Sequence, residues 1–459
     1  MNMNGNSDER GLIRRIEALN YRSLRYVAQA VPAFGILVGP NASGKSTFID
    51  TIALVSDFMR DGLDRAILFS NGSGGGRAGK LDEIIFGGTG DHFELAFEMT
   101  VPDELVQSRR IGTQEYVFDV ARYELAVGKT TRGELDIQRE ALWLIDSRVH
   151  DLHHPASDVH ALSSSFPVTL APPATLLHDA RISVKATDIS VGQSSGYWRP
   201  VAVQTSEDRG NAAYFRETGE RGVAYRVGVH RSVFAGLPED PEGYPIAIWV
   251  RNLLRDDIRV LALSSAAMRQ PGSPSASREF DVAGANLPLV LEDLEHHDST
   301  RYRDWIAHVQ TILPDIEKIA VYERPEDRAR YLTITYANIA APVPSWLVSD
   351  GTLRVLALTL LAYLPERPRI YLIEEPENGI HPRAIEGVYQ SLSSVYRGQV
   401  LVATHSPLFL SVAEPDQLLC FARTPSGAVD IIRGSQHPVL KRWRGQTDLS
   451  TLYAAGVLG

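Results

Sequence analysis

The sequence predicts an α/β fold with a parallel sheet. Three short apolar runs have the character of buried strands, and each is followed by residues of the types found in binding or catalytic sites. Residues 36–38, Ile-Leu-Val, lead into a glycine-rich loop and then into a helical sequence. Residues 370–373, Ile-Tyr-Leu-Ile, are of the buried parallel-strand type and end in two glutamates. Residues 399–403 form the next such strand, which runs into His405. Since ligands bind at the carboxyl ends of parallel strands, these ends predict one site at one sheet edge.

The loop after the first run is a phosphate-binding motif. Residues 39–46 read Gly-Pro-Asn-Ala-Ser-Gly-Lys-Ser and satisfy G-x-x-x-x-G-K-[ST]. Glycines let main-chain N–H groups curve around phosphates, and the helix that follows directs its positive end at them. We expect the lysine to contact the β- and γ-phosphates of ATP and Ser46 to offer its hydroxyl to Mg²⁺. The predicted nucleotide contacts here are Asn41, Gly44, Lys45, Ser46 and Thr47.

The two glutamates predict the second half of a hydrolytic site. Glu374 is expected to bind the Mg²⁺, and Glu375 to be the general base that polarises the attacking water. Pro376 ends the strand. The metal-binding position is more often Asp, and Glu374 is one methylene longer. The sequence therefore predicts nucleotide binding more firmly than it predicts the geometry of the metal site or the rate of turnover.

Two further segments complete the predicted site. His405 is expected to sense or hydrogen-bond the γ-phosphate from the end of its strand. Ser349, Asp350 and Gly351 precede an apolar helix over 355–363. A serine or aspartate suits the N-cap, and the glycine leaves main-chain N–H groups accessible, which predicts a second anion-binding helix start. A nucleotide site within one chain does not need a second anion-binding helix start. A nucleotide held between two chains does, because each chain would supply one of the two helix starts.

With these elements in this order, the chain resembles the ABC-type ATPases of the SMC/RecF/OLD-like branch. More narrowly, it resembles compact AAA-family ATPases of bacterial anti-phage and toxin–antitoxin operons, such as those of the PARIS and Septu systems. The resemblance is carried by residues 13–24, 39–47, 349–354, 374–382 and 404–407. It implies a P-loop NTPase fold with an ABC-type head, in which a mixed central sheet is joined by an antiparallel β lobe.

The resemblance also implies a mechanism and partners. Ser349 and Gly351 of one subunit would close over the ATP held by Lys45 of another, which gives two composite sites in a head-to-head dimer. Residues 377–381 would form the loop at that interface. The implied partners are further copies of the chain and a separately encoded effector, a nuclease or toxin. The chain would then be a hydrolysing sensor and scaffold in phage defence.

The two halves of the predicted site are far apart in the sequence. We therefore predict one half of the ATPase head over 1–147, an inserted α+β lid or partner-docking domain over 148–339, and the other half over 340–459. No heptad pattern persists over three or four repeats in the insertion, so no long coiled coil is expected.

Alternating residues predict an antiparallel lobe, with strands over 92–100, 115–127 and 134–145. Prolines predict a linker over 148–180, and its histidines are expected to be solvated rather than metal-bound: His150, His153, His154 and His160. Helices are predicted over 244–254, 286–294 and 301–313, and strands over 258–263, 318–322 and 331–336.

The composition is ordinary for a soluble globular protein, with 44% hydrophobic and 22% charged residues among 459. A single cysteine, Cys420, excludes an internal disulfide and fits a reducing cytosol. Neither an apolar run of about 18 residues nor a signal-peptide core is present, so we expect a cytoplasmic protein with no membrane partner. The net charge of −10 argues against a broad DNA-binding surface but does not exclude a local basic groove.

Two alternatives stay open. A RecF-like repair factor would clamp DNA in an ATP-dependent and salt-dependent manner. A non-hydrolysing module would bind ATP only for assembly, an alternative that the glutamate at position 374 leaves open. The short stretch after His405 leaves no room for an OLD-type nuclease domain, so we expect any cutting to be done by another polypeptide.

Overall fold

The computed structural model describes residues 11–68, 76–130, 133–153, 165–178, 182–185, 188–191, 196–206, 211–218, 223–228, 230–442 and 448–458. His154 and His160 of the predicted histidine group lie outside the described residues.

The secondary structure alternates between sheet-forming and helical segments along the chain. The strands are β1 (Ile13–Tyr21), β2 (Leu24–Ala30), β3 (Phe34–Val38), β4 (His92–Thr100), β5 (Gln107–Ile111), β6 (Gln114–Phe118), β7 (Val120–Lys129), β8 (Leu135–Ile145), β9 (Ile182–Lys185), β10 (Asp188–Val191), β11 (Trp198–Thr205), β12 (Asn211–Tyr214), β13 (Val223–Arg226), β14 (Ile258–Leu261), β15 (Ile316–Glu323), β16 (Arg330–Tyr336), β17 (Val343–Pro344), β18 (Ile370–Glu374), β19 (Gln399–Ala403), β20 (Leu418–Arg423) and β21 (Val429–Arg433). The helices are α1 (Lys45–Asp61), α2 (Leu63–Leu68), α3 (Ser147–His153), α4 (Pro245–Asp256), α5 (Ser265–Met268), α6 (Leu287–His297), α7 (Ser299–Ile312), α8 (Asp350–Leu360), α9 (Ile385–Ser393), α10 (Pro407–Ser411) and α11 (Leu449–Ala454).

A six-stranded mixed sheet contains the three strands that the sequence singled out. Its order is β14-β18-β19-β3-β20-β21, and every neighbouring pair is parallel except β20 with β21. The side chains alternate between its faces, as a strand requires: Ile36 and Val38 belong to one apolar cluster and Leu37 to another. The predicted α/β class with a mixed central sheet is confirmed.

An eight-stranded antiparallel sheet forms the second layer, in the order β13-β12-β11-β8-β7-β4-β1-β2. The strand predicted over 92–100 is β4, and the one over 134–145 is β8. A single strand over 115–127 was wrong, because Asp119 separates β6 from β7 and β6 pairs with β5 in another sheet. The Asp119 carboxylate accepts hydrogen bonds from the N–H and the hydroxyl of Ser147, at 2.8 and 2.5 Å, which stabilises the break.

Two apolar clusters hold the layers together. One joins the eight-stranded sheet to α1, α4 and one face of the six-stranded sheet, through buried residues such as Phe48 and Leu372. The other joins the opposite face to α6, α7, α8 and α9, with Trp305 and Leu356 fully buried. Burying one large apolar side chain stabilises the fold by about 1.5–3 kcal/mol, so both faces of the central sheet are held rigidly.

Segments from the middle of the chain complete both large sheets. Strands β11 to β13 extend the antiparallel sheet beyond β8, and β14 adds an edge strand beside β18. The division at 148 and 339 stays a prediction, but these pairings connect its middle part to the rest of the fold. The helices and strands predicted between residues 244 and 336 are confirmed as α4, β14, α6, α7, β15 and β16.

The beginning of the predicted linker is wrong. Residues 147–153 form α3, and His150 is buried rather than solvated, with Nε2 3.5 Å from the Glu98 carboxylate. Its ring lies edge-on to Trp198, with the centroids 5.3 Å apart. The sequence offered no sign of this, because the partners of His150 lie on strands of the sheet that are distant along the chain.

The longest helix among the described residues is α1, with 17 residues. Within the described ranges, no helix combines the length and the apolar character that crossing a membrane requires.

Candidate nucleotide-binding site

The carboxyl ends of β3, β18 and β19 meet at one edge of the six-stranded sheet. Leu37, Ala403 and Glu374 lie side by side in register across the three strands. The N–H of Thr404 donates a hydrogen bond to the Leu37 carbonyl oxygen at 3.2 Å, and the N–H of Glu375 donates to Ala403 at 2.8 Å. The structure thus brings together the phosphate-binding loop, the two glutamates and His405.

The phosphate-binding loop has the backbone conformation that its glycines predict. Gly39 has φ 151°, Ala42 φ 60° and Gly44 φ 102°. A Cβ at Gly44 would lie 2.6 Å from Cγ2 of Val429, so no larger residue fits there. For alanine the left-handed region costs about 1 kcal/mol, so the loop holds Ala42 against its own preference. A curved segment of this kind presents successive N–H groups to an anion.

Lys45 begins α1 and is buried, with only 6% of its surface exposed. Its Nζ donates hydrogen bonds to the carbonyl oxygens of Gly39 at 2.8 Å and Pro40 at 3.0 Å. Burial lowers the pKa of Lys45 to about 8, and the Glu374 and Glu375 carboxylates oppose that shift. An anion bound at the loop would replace the two carbonyl groups as the partner of this cation and would favour its charged form.

The other loop residues leave polar atoms available. Asn41 and Ser46 are exposed, and Thr47 is half-buried, with its Oγ1 3.4 Å from the Ser23 hydroxyl that donates to it. Ser43 Oγ is buried and has no hydrogen-bond partner within the described residues. Its position was part of the motif but was not predicted as a contact. An unpaired hydroxyl in a loop of this shape fits a phosphate group.

Glu374 and Glu375 are both exposed at the sheet edge. Glu375 has φ 46°, which places a non-glycine residue in the left-handed region immediately after the strand. No group of three or more His, Cys, Asp or Glu residues in the described ranges is arranged to hold a metal by itself. Mg²⁺ in nucleotide sites is bound by one or two protein oxygens together with phosphates and water, so a carboxylate with the Ser46 hydroxyl fits this ion.

His405 is held from two sides. Its Nδ1 lies 3.0 Å from the hydroxyl of Tyr453, and that hydroxyl lies 3.4 Å from the Gly39 carbonyl oxygen. Its main-chain N–H donates to Oε1 of Glu377 at 3.3 Å, and the Thr404 hydroxyl donates to the same oxygen at 2.7 Å. Burial and the nearby Lys45 cation lower the pKa of His405, while Glu375 and Glu377 oppose them. The imidazole is therefore neutral near pH 7.

Two residues of this site were not predicted in their observed roles. Glu377 was expected only at an interface loop, yet its carboxylate binds the β19 end, and its Oε2 is buried without a hydrogen-bond partner among the described residues. Tyr453 belongs to no motif and comes from α11, near the other end of the chain. A lone tyrosine in a short helix carries no signal that sequence reasoning can use.

The predicted second helix start is present at α8. Ser349 is its N-cap: the Oγ accepts a hydrogen bond from the Thr352 N–H at 3.1 Å. Asp350 forms a salt bridge with Arg269. A Cβ at Gly351 would lie 2.5 Å from the Gly379 carbonyl oxygen, so this glycine allows α8 to pack against the loop after the two glutamates. No hydrogen bond or salt bridge in the described residues joins Ser349 or Gly351 to the phosphate-binding loop of the same chain.

A comparison with known protein families finds a match. A family model described as "AAA domain, putative AbiEii toxin, Type IV TA system" matches residues 34–143 and 259–411. No curated protein matches the chain at a significant level.

Two solved structures match the chain at low sequence identity and with TM-scores below 0.5. An SMC head bound to the C-winged helix domain of ScpA has 13% sequence identity and a TM-score of 0.49, over 92% of this chain and 96% of that chain. A second SMC head domain, with an extended coiled coil and bound to the C-terminal domain of ScpA derived from Pyrococcus furiosus, has 11% identity and a TM-score of 0.46, over 92% and 95%. The matching family model covers more than half of the residues and includes the loop, the two glutamates and His405, so the chain belongs to this AAA-domain family.

Proposed function

We propose that the chain is an ATPase that binds ATP with Mg²⁺ at the edge of the six-stranded sheet and hydrolyses it to ADP and phosphate. The observation that carries this proposal is the convergence of Lys45, Glu375 and His405 at one sheet edge, beyond the ends of three adjacent strands. Lys45 lies near the beginning of the sequence, more than 300 residues before Glu375 and His405. The site therefore combines a lysine cation that can bind phosphate, a carboxylate that can act as a base, and a neutral imidazole.

Each residue has a separate task. Lys45 contacts the β- and γ-phosphates, and Asn41, Gly44 and Thr47 surround them. Ser46 and Glu374 would hold the Mg²⁺, which supplies charge neutralisation and polarises the phosphoryl oxygen. Glu375 accepts a proton from the attacking water, and the neutral ring of His405 senses the γ-phosphate.

We propose further that two copies close head to head around ATP. Ser349 is exposed, and Gly351 lies in the first turn of α8, where main-chain N–H groups lack helical partners. Such a start suits an anion, and within one chain it forms no hydrogen bond to the phosphate-binding loop in the described ranges. The ATP of another copy gives it a partner of the right charge.

The closed dimer would act as a sensor and scaffold for a separate effector, a nuclease or toxin, in defence against phage. Support comes from the family description, which names a toxin of a type IV toxin–antitoxin system. ATP binding would shift the population between open and closed heads, and an effector that prefers one form would respond to that shift.

The experiment that tests the enzymatic proposal is ATP turnover by the wild type and by Glu375→Gln. The amide keeps the size and removes the base, so we expect a loss of 100-fold or more in kcat, the range of general-base catalysis. Glu386→Gln, on α9, is the matched control and should leave turnover unchanged. Wild-type binding without turnover would support an assembly module instead, and unchanged turnover in Glu375→Gln would overturn the base assignment.

A further inference from the structure

The helix α11 places a tyrosine hydroxyl between two parts of the nucleotide site. Leu449 at the start of α11 is buried in the second apolar cluster, and Leu452 and Tyr453 pack against that cluster. The helix begins at an N-cap, Asp448, whose carboxylate accepts a hydrogen bond from the Ser450 N–H. Packing therefore fixes the position of the phenol ring, and the ring brings its hydroxyl to His405 and Gly39.

The hydroxyl of Tyr453 has one proton to donate. The carbonyl oxygen of Gly39 lies 3.4 Å away and accepts it, since a carbonyl oxygen has no proton to offer in return. The phenol oxygen can then accept a hydrogen bond from His405 Nδ1–H at 3.0 Å. This arrangement leaves Nε2 of the neutral imidazole without a proton. In the opposite arrangement the phenol would donate to Nδ1. The phenol oxygen and the Gly39 carbonyl oxygen would then face each other with no proton between them.

We propose that Tyr453 is a positioning residue that fixes the tautomer and the orientation of His405 and links this ring to the phosphate-binding loop. The proposal rests on the ATPase function proposed above only for its kinetic consequence. The tautomer of a histidine decides whether Nε2 donates or accepts a hydrogen bond. Tyr453 thereby leaves Nε2 of His405 able to accept a hydrogen bond beside a bound nucleotide, from the attacking water for example, and unable to donate one to a phosphate oxygen.

The surroundings of His405 agree with this role. Glu377 holds its main-chain N–H, so the phenol is the group that orients the ring. The charged groups that face the imidazole are Lys45, Glu375 and Glu377. Burial raises the pKa of Tyr453, and Glu377 adds to that rise, so the phenol keeps its proton at neutral pH.

The direct test is ¹⁵N NMR of ligand-free protein labelled only at histidine. The signals of His405 are identified by their loss in His405→Gln. We expect a protonated Nδ1 and an unprotonated Nε2 in the wild type, and a shift towards the other tautomer in Tyr453→Phe, which keeps the ring and removes the hydroxyl. A protonated Nε2 in the wild type, or the same spectrum in both proteins, would overturn the proposal.

The kinetic test compares ATP turnover. Removing one hydrogen bond that orients His405 should lower kcat roughly tenfold, change the KM for ATP by less than about twofold, and shift the acidic limb of the pH profile of kcat. Tyr396→Phe is the control, because Tyr396 is 68% exposed. Wild-type kcat and pH profile in Tyr453→Phe would reject the positioning role. Absence of turnover in the wild type would reject the ATPase proposal instead, and the NMR result would still decide the tautomer.

Discussion

Nζ of Lys45 donates a hydrogen bond of 2.8 Å to the carbonyl oxygen of Gly39, six residues earlier in the same loop. The loop thus binds its own cation. A bound nucleotide would offer Nζ a phosphate oxygen, so that both partners of the hydrogen bond would be charged.

Lys45→Met should therefore weaken ATP binding about 100-fold, because it removes two charge-assisted hydrogen bonds. The same change should not lower the melting temperature, since methionine fills a similar volume and no longer buries a cation. Calorimetric titration with ATP and thermal unfolding measure the two effects. Lys80→Met, at an exposed lysine, is the control. Unchanged ATP affinity in Lys45→Met would contradict the assignment of the loop.

Gly351→Ala should destabilise the protein by about 1–3 kcal/mol, because the new Cβ would collide with the Gly379 carbonyl oxygen at 2.5 Å. Urea unfolding measures the loss. Gly79→Ala is a matched control, since the nearest atom to a Cβ there is Oε2 of Glu83 at 3.6 Å. Equal stability of the two variants would contradict this prediction and would show that the loop at Gly379 moves to accommodate the new Cβ at little cost in free energy.

Glu140→Gln should change how stability depends on pH. Glu140 is fully buried and accepts hydrogen bonds from the Tyr123 and Ser232 hydroxyls and the Val233 N–H, and burial raises its pKa to about 7. Between pH 4.5 and 7 the folded state holds a proton that the unfolded state has lost, so the free energy of unfolding falls as pH rises.

Glutamine does not titrate. The stability of Glu140→Gln relative to wild type should therefore increase from pH 5 to pH 8, by up to about 3 kcal/mol. Urea unfolding at both pH values provides the measurement, and a constant difference between the two proteins would disprove the raised pKa.

Mixing two inactive variants should restore activity if the sites are composite. Lys45→Met damages the phosphate-binding loop, and Ser349→Glu places a negative charge at the start of α8. Equal mixing should recover roughly a quarter of wild-type turnover, because about half of the dimers are mixed and each keeps one intact site. Wild-type turnover in Ser349→Glu alone, or no recovery on mixing in proteins that still associate on ATP addition, would contradict composite sites.

Sequence reasoning succeeded where the signal is local. The phosphate-binding loop, the strand that ends at Glu374 and the N-cap at Ser349 each follow from a few consecutive residues. It failed where local alternation continued across a break, as at Asp119, where a side-chain contact to Ser147 separates two strands that join different sheets. It failed also at His150, which is buried by residues distant along the chain.

The order of residues along the chain determined which groups stand at the carboxyl ends of the strands, because strand periodicity and the glycine pattern are short-range properties. Only the tertiary structure decided that β19 lies between β3 and β18, which sets His405 between the loop and the acids. Only the packing of α11 decided that Tyr453 reaches His405 and Gly39. The physical reason is that strand order and helix docking depend on which apolar faces bury one another, and no short stretch of sequence encodes that choice.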